Sequence, residues 1–174
     1  MMMNKTLVLY KSKYGSTKKY ALWLREALMG DICETEQFKW DEINQYSSVI
    51  IAGGIYAGTI AGIKTIKKNM DRLKGKKTAV LAVGASPFNA ETFDGIKRMN
   101  LDGLNLPVFY CRGAFDESKM GFLDKALCKM IKNMMKKKPE GEAGWMLGTD
   151  GESDWTSKES LKELITYMKD ESKI

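Results

Sequence analysis

The residues best suited to chemistry lie in a polar loop at 10–17, between a short apolar run and a predicted helix. It contains three Ser or Thr hydroxyls, at Ser12, Ser16 and Thr17. Hydroxyls donate hydrogen bonds to phosphate oxygens, and the N–H groups at a helix N-terminus favour an anion. Gly15 lets the backbone approach a ligand closely. The loop therefore predicts either a phosphate site or a plain turn in which Ser16 or Thr17 caps the helix.

Two features of the composition restrict the other chemistries. The sequence has no histidine, which excludes Ser-His-Asp hydrolysis, Cys-His proteolysis and histidine-ligated zinc. Its three cysteines, Cys33, Cys111 and Cys128, are far apart and form no C-x-x-C pair, so zinc fingers and iron–sulfur clusters lack their ligands. We therefore predict no metal site, and we expect demanding chemistry to come from a bound cofactor.

Strand-like and helix-like segments alternate along the chain. Five apolar runs have the composition of strands: 6–10, 32–38, 48–52 (ended by Gly53-Gly54), 78–83 and 106–111. Helical spacing of apolar residues occurs at 17–29, 63–73, 90–99, 122–138 and after a capping box at Thr156 and Glu159, with a Gly-rich loop at 139–151. This alternation predicts one α/β domain over residues 1–174, with a five-stranded parallel sheet of order 2-1-3-4-5 and helices on both faces. In such sheets the ligand lies at the carboxyl ends of the strands, where the strand order reverses.

The length and composition place the chain among ordinary globular domains. It has 174 residues, of which 44% are hydrophobic and 29% charged. We find no run of 18 apolar residues that would cross a membrane, and no apolar core or cleavage site of a signal peptide at the N-terminus. Together with the absence of a disulfide framework, these features predict a cytoplasmic protein.

The positive charge is concentrated in one segment. The net charge is +6, and residues 122–138 hold six lysines against one acid, Asp124. One interpretation is an ordinary amphipathic helix whose lysines are solvated. The other is a peripheral contact with the anionic inner face of the membrane, to which each lysine would contribute. We do not expect nucleic-acid binding, because no aromatic residues are interleaved with the lysines.

The loop after the first strand resembles a known phosphate loop. The run Ser12-Lys13-Tyr14-Gly15-Ser16-Thr17 resembles that of flavodoxins, and the element order is similar over essentially the whole chain. The closest resemblance is to the menaquinone-dependent protoporphyrinogen oxidase group, through Lys13, the basic helix at 122–138 and the pair Asp154-Trp155. The resemblance implies a flavodoxin-like three-layer sandwich. It also implies non-covalent FMN, with its phosphate on residues 12–17.

The resemblance assigns the rest of the flavin site to later loops. The loop after the third strand supplies Gly54, Ile55, Tyr56, Ala57 and Gly58. Of these, Tyr56 would stack on the isoalloxazine ring, or would be a plain surface aromatic. Gly58 would belong to a peptide that turns when the flavin takes up a proton.

The loop after the fourth strand would border the pyrimidine side of the flavin. It comprises Gly84, Ala85, Ser86, Pro87, Phe88 and Asn89. Phe88 would cover the other ring face, or would belong to the core. After the fifth strand, Arg112 would stabilise negative charge on the reduced flavin, or would be a solvated or ion-paired surface arginine.

The function implied by the resemblance is FMN-dependent electron transfer, for which the protein needs no catalytic side chain of its own. We predict an oxidoreductase of the protoporphyrinogen-oxidase type, with a porphyrin substrate, that passes electrons to a quinone. The alternative is a soluble electron carrier of the flavodoxin type that docks on redox partner proteins. The excess positive charge favours the oxidoreductase, because flavodoxin carriers usually present an acidic face.

Overall fold

The computed structural model describes residues 5–137, 144–148, 151–170 and 172, and the structural statements below concern these residues. Lys138, the predicted last residue of the basic helix, and most of the predicted loop at 139–151 lie outside them. Within that loop, Gly144–Gly148 forms a 3-10 helix. No helix in the described part of the chain is long and apolar enough to cross a bilayer.

The centre of the molecule is a parallel sheet of five strands. They are β1 (Thr6–Lys11), β2 (Asp31–Glu34), β3 (Ser48–Tyr56), β5 (Lys77–Gly84) and β6 (Val108–Arg112). A short strand, β4 (Thr59–Ile60), pairs antiparallel with β3. The order across the sheet is β2-β1-β3-β5-β6. Since β4 is only the return arm of a hairpin, this order confirms the predicted 2-1-3-4-5 arrangement.

Six α-helices among the described residues accompany the sheet. They are α1 (Ser16–Leu28), α2 (Ile63–Lys68), α3 (Met70–Leu73), α4 (Ala90–Leu101), α5 (Phe122–Lys137) and α6 (Lys162–Lys169). Residues from α1 and α6 pack on one face of the sheet, and residues from α2, α3 and α4 pack on the other. Strands covered on both faces need continuous apolar runs, which is why β1, β3 and β5 were predictable.

Two further strands form a small antiparallel sheet beside the main one. β7 (Ala114–Asp116) follows β6 almost directly and pairs with β8 (Glu152–Asp154). Phe115 and Trp155 both contact the ring of Trp145 edge-on, at centroid distances of 5.4 and 5.7 Å. This aromatic cluster lies next to Arg112, at the carboxyl end of β6.

The prediction that β3 ends at Gly53-Gly54 was wrong, because the strand continues through both glycines to Tyr56. A Cβ on Gly53 would collide with the Ala61 carbonyl oxygen and would lie 2.6 Å from Ile60 Cγ2. Glycine is therefore needed here for the close approach of the β4 arm, not for a chain break. The hairpin turn is made by Ala57 (φ 47°) and Gly58 (φ 77°), the two left-handed residues that a tight hairpin turn requires.

Other boundaries also differ from the sequence prediction. β2 ends at Glu34 instead of residue 38, because Gln37 N–H donates to the Glu34 carbonyl and closes a turn. The helix predicted at 63–73 is divided at Asn69 into α2 and α3. The predicted capping box was wrong: the Thr156 hydroxyl bonds to Asp154 instead, and the next residue, Ser157, caps the 3-10 helix Lys158–Leu161 that leads into α6.

Candidate functional site

The predicted loops meet at the carboxyl edge of the sheet, as expected for parallel strands. Ser16 Oγ accepts a hydrogen bond from Ala114 N at 3.0 Å, which joins the first loop to the segment after β6. The same segment is joined to the end of β5, since Gly113 N donates to the Gly84 carbonyl at 2.7 Å. A Cβ on Gly54 would lie 3.2 Å from Thr17 Oγ1, so β3 passes directly beside the first turn of α1.

The first loop ends in an uncapped helix N-terminus. The N-cap residue of α1 is Gly15, in the left-handed region at φ 101°, and no side chain caps the helix. The alternative in which Ser16 or Thr17 caps the helix was therefore wrong. Ser12 Oγ instead accepts from Gly15 N at 3.0 Å. A Cβ on Gly15 would meet no atom within 4 Å, so the space beside this helix end is open in the described structure.

A buried carboxylate, Asp124, links the first loop to the β3–β4 hairpin. Lys13 Nζ lies 2.6 Å from Asp124 Oδ2, and the Tyr14 hydroxyl donates to the same oxygen. The Tyr56 hydroxyl donates to Oδ1 at 2.6 Å. Lys13 Nζ also lies 4.1 Å from the centroid of the Tyr56 ring. We call these four residues the Asp124 cluster.

The Asp124 cluster is held in a defined charge state. The hydrogen bonds from Lys13, then Tyr14 and Tyr56, hold the pKa of Asp124 well below its usual range. The bond to Asp124 in turn raises the pKa of Lys13 above its ordinary value. At neutral pH the cluster therefore contains one carboxylate and one ammonium, and the charge of Lys13 is balanced locally.

Sequence reasoning missed Asp124 as a site residue. Its only signal is that it is the one acid among the lysines of 122–138. It lies in the first turn of α5 and is 8% exposed. From there α5 runs along the carboxyl edge, so that Ile131 lines a groove with the loop after β5. The long basic helix is thus placed over the predicted site.

Asn100 holds the hairpin that carries Tyr56. It lies near the end of α4 and is 3% exposed. Asn100 Oδ1 accepts from Ile60 N at 2.8 Å, and Nδ2 donates to the Gly58 carbonyl at 2.7 Å. Nδ2 also donates to the Ile96 carbonyl at 2.8 Å. Because the Gly58 carbonyl is already bonded, we expect a peptide that turns toward a ligand to be the one between Ala57 and Gly58. Tyr56 itself is 46% exposed.

The loop after β5 is fixed to β6 by two side chains. The Tyr110 hydroxyl donates to the Ser86 carbonyl at 2.5 Å, and Arg112 Nε donates to the Ala85 carbonyl at 2.9 Å. The Arg112 guanidinium lies 3.6 Å from the centroid of the Trp155 ring, a cation–π contact. The interpretation of Arg112 as a solvated or ion-paired arginine was therefore wrong. It is a half-buried residue that supports the loop, and its role toward a flavin stays a prediction.

An aromatic groove of about 450 Å³ lies beside the same loop. Its apolar wall includes Phe88, Phe93, Ile96, Tyr110, Ile131 and Trp145. Phe88 is 60% exposed and contacts Phe93 and Tyr110 at ring-centroid distances of 5.5 and 5.7 Å. Phe88 is thus a groove residue and does not belong to the sheet core.

Comparison with known proteins identifies the family. The sequence pattern of the flavodoxin domain matches residues 7–141. The chain belongs to the flavodoxin-domain family. The match spans the five parallel strands, the first loop, the hairpin and α5, so the flavodoxin-like α/β fold implied by the resemblance is confirmed. No curated protein matches the chain.

Several solved structures are similar to this flavodoxin domain. One is a flavoprotein in complex with FMN from Lactobacillus acidophilus NCFM, with 22% identity, a TM-score of 0.42, and coverage of 71% of this chain and 98% of that chain. Another is a flavodoxin from the domain Archaea, with 16% identity, a TM-score of 0.42, and coverage of 79% and 99%. A third is the Flv1 flavodiiron core from Synechocystis sp. PCC6803, with 13% identity and a TM-score of 0.43. That match covers 62% of this chain and spans only 29% of the flavodiiron core.

Proposed function

We propose that this flavodoxin domain binds FMN without a covalent bond and uses it to transfer electrons. The observation that carries the proposal is the open, uncapped N-terminus of α1, directly after β1 and beside the start of β3's hairpin. β1 lies between β2 and β3, where the strand order reverses and ligands of such sheets bind. When bound, FMN would supply the electron-transfer chemistry through its isoalloxazine ring.

The residues of the first loop fit a terminal phosphate. No side chain caps the N–H groups of the first turn of α1, and such N–H groups at a helix N-terminus are suited to binding an anion. Ser12 Oγ and Ser16 Oγ each accept a hydrogen bond from the backbone. A hydroxyl that accepts one bond still has its own proton to donate. Both serines are therefore oriented and supported, with one donor each available for phosphate oxygens.

Binding of FMN, FAD and riboflavin tests this proposal. We expect FMN to bind tightly with quenched flavin fluorescence, FAD to bind more weakly, and riboflavin to bind most weakly because it has no phosphate. Gly15→Val should weaken FMN binding by about tenfold or more, since one lost charge-assisted hydrogen bond has that effect. Equal affinities for FMN and riboflavin would refute the phosphate assignment.

The matched control for Gly15→Val is Gly103→Val. Gly103 has a comparable φ of 75°, and a Cβ there also meets nothing within 4 Å, so the two variants carry similar backbone strain. Gly103 precedes β6 and lies at the opposite edge of the sheet. The control variant should therefore bind FMN like the original protein. If both variants lose FMN equally, strain and not phosphate contact is responsible.

The finer proposal is an oxidoreductase of the protoporphyrinogen-oxidase type that passes electrons to a quinone. It is supported by the aromatic groove beside the loop after β5, because flat apolar ring compounds fit such walls. An anaerobic assay with protoporphyrinogen and a menaquinone analogue should yield porphyrin only in the presence of bound FMN. Phe88→Ala should reduce turnover, whereas Leu22→Ala, on the outer surface of α1, should not.

The second candidate, a soluble electron carrier, is favoured by the half-exposed Tyr56 at the site edge, where a partner protein could approach a flavin. A carrier would bind FMN equally well but give no porphyrin. It would instead exchange electrons with a flavin-dependent reductase and an iron–sulfur or haem acceptor. Stopped-flow reduction by such a reductase, compared with the porphyrin assay, distinguishes the two candidates.

A further inference from the structure

Helix α5 contacts the rest of the flavodoxin domain through one narrow side, which includes only part of its apolar residues. Its inward residues recur at helical spacing and are Asp124, Cys128, Ile131, Lys132 and Met135. Two of these five are charged, and both are balanced by residues of the domain: Asp124 by Lys13, and Lys132 by Glu117. None of the α5 residues belongs to either described core cluster. Packing alone therefore does not account for the apolar content of the helix.

The apolar residues of α5 lie mainly on its outer surface. The exposed fractions are 86% for Phe122, 79% for Leu123, 39% for Leu127, 53% for Met130 and 58% for Met134. Together with the exposed Ala126, these residues form one continuous strip along a helix about 24 Å long. We call them the α5 strip. Nothing in the described parts of the chain covers it, and contiguous exposed apolar surface of this kind marks an interaction site.

The exposed charged residues of α5 are all basic. Lys125, Lys129 and Lys136 are exposed and recur along one flank of the helix, and Lys137 is exposed at its C-terminal end. The only acid in the helix, Asp124, faces inward, and so does Lys132. The outward surface of α5 therefore carries four lysines and no acid.

We propose that the α5 strip is a docking surface for an anionic lipid bilayer. A convex helix with apolar residues on one side and lysines on its flank suits the interface of a membrane. Phe122, Leu123 and the methionines would enter the boundary between headgroups and acyl chains. The lysines would reach the lipid phosphates with their ammonium groups, while their aliphatic stems cover the apolar boundary.

Charge argues against the alternative in which a second copy of this chain covers the strip. A twofold contact would place the same basic surfaces against each other. The outward lysines of both copies would then lie in one interface, with no outward acid of α5 to pair with them, which is unfavourable. An anionic bilayer neutralises the same charges instead.

The test is sedimentation of the full chain with vesicles of phosphatidylcholine, with or without phosphatidylglycerol, at low and high salt. We expect binding only to the anionic vesicles, and we expect high salt to weaken it. Each lysine near an anionic surface contributes about a fivefold change in partition. The triple variant Lys125→Gln, Lys129→Gln, Lys136→Gln should therefore bind roughly a hundredfold more weakly.

The matched control is a second triple variant, Lys64→Gln, Lys67→Gln, Lys68→Gln on α2. These lysines are also exposed, and the change in net charge is the same, but no exposed apolar strip accompanies them. The control should bind like the original protein. A further variant, Met130→Gln with Met134→Gln, should weaken binding while leaving the circular dichroism spectrum and the melting temperature unchanged.

Several results would overturn the proposal. Equal loss in the α2 and α5 triple variants would mean that only net charge matters. Binding to both vesicle types, or to neither, would leave no role for anionic lipid. A stable dimer of the lipid-free chain in analytical ultracentrifugation, abolished by the Met130 and Met134 changes, would show that a second copy covers the strip. None of these outcomes depends on whether the domain binds FMN.

Discussion

Asn100 is the residue whose replacement should reveal most about how the candidate site is held in place. It fixes the β3–β4 hairpin to α4 through Ile60 N–H and the Gly58 carbonyl. Asn100→Ala removes both bonds. Ile60 is completely buried, so in this variant its N–H group would have neither a protein partner nor water. A buried N–H group without a hydrogen-bond partner costs about 1–3 kcal/mol. The half-exposed Gly58 carbonyl can be hydrated and adds less.

The expected loss for Asn100→Ala is thus about 3 kcal/mol in the free energy of unfolding. For a domain of this size that lowers the melting temperature by roughly 6–12 °C. Urea and thermal unfolding followed by circular dichroism measure it. Asn105→Ala, which changes an exposed asparagine in the loop before β6, should stay within about 0.5 kcal/mol of the original protein. A loss of similar size in both variants, or in neither, would refute the reasoning.

Asn100→Asp gives an independent check on the same bonds. The aspartate can still accept from Ile60 N–H, but its second oxygen would face the carbonyls of Gly58 and Ile96. That repulsion favours the protonated carboxyl, so the pKa in the folded state should lie above the unfolded value of about 3.9. The stabilisation of the folded state by the protonated carboxyl is then fully present below the unfolded pKa, and it is lost as the pH rises through the folded pKa. The variant should therefore regain stability, relative to the original protein, as the solution is acidified.

Three other perturbations test the packing and the charges. Gly53→Ala should lower the free energy of unfolding by about 2–3 kcal/mol or more, because the added Cβ collides with the β4 arm. Gly95→Ala, inside α4 with nothing within 4 Å of the added Cβ, should instead raise it by about 0.5–1 kcal/mol. Urea unfolding measures both changes. Burial raises the pKa of Tyr46 to about 12. The stabilisation from its protonated hydroxyl is therefore present below the ordinary pKa of 10.0 and is lost between pH 10 and about pH 12. Tyr46→Phe should abolish this loss of stability at alkaline pH. Asp124→Asn should bring the pKa of Tyr56 down toward its ordinary value, because the hydrogen bond to Asp124 is the main cause of the raised pKa, as an ultraviolet titration would show. The same change should free the charge of Lys13 and make FMN binding tighter and more sensitive to salt.

The parts of the fold that the sequence predicted are those determined by local pattern. β1, β3 and β5 are covered by helices on both faces, so their apolar runs are continuous and unmistakable. The first loop was identifiable because its hydroxyls and Gly15 directly follow β1. The strand end predicted at Gly53 failed because it depends on a contact with another strand. Nothing near Gly53 in the sequence indicates that Ala61 will press against it, and so the glycine was interpreted as a strand end.

The same limit explains which site residues were missed. Asp124 joins Lys13 and Tyr14 across more than 100 positions in the sequence, and no spacing rule connects them. Arg112 was predicted either to stabilise the reduced flavin or to be solvated or ion-paired, and neither alternative included Trp155, because the sequence does not show that this ring will lie against it. In both cases the contact that determines the role of the residue is made with an element distant in the sequence.

Helix α5 shows why the composition of a segment is a poor guide to its surface. Its one acid and one of its lysines face inward, where the acid balances Lys13 and the lysine balances Glu117. Residues outside the helix thus neutralise both charges. Because the two inward charges are opposite, the outward surface carries the same net charge as the whole helix. What changes is its distribution, because no acid then interrupts the exposed lysines. An acid on that surface would repel the lipid phosphates that we propose as partners of these lysines. The inward placement of Asp124 therefore serves the candidate site and at the same time leaves the exposed face of α5 basic along its length.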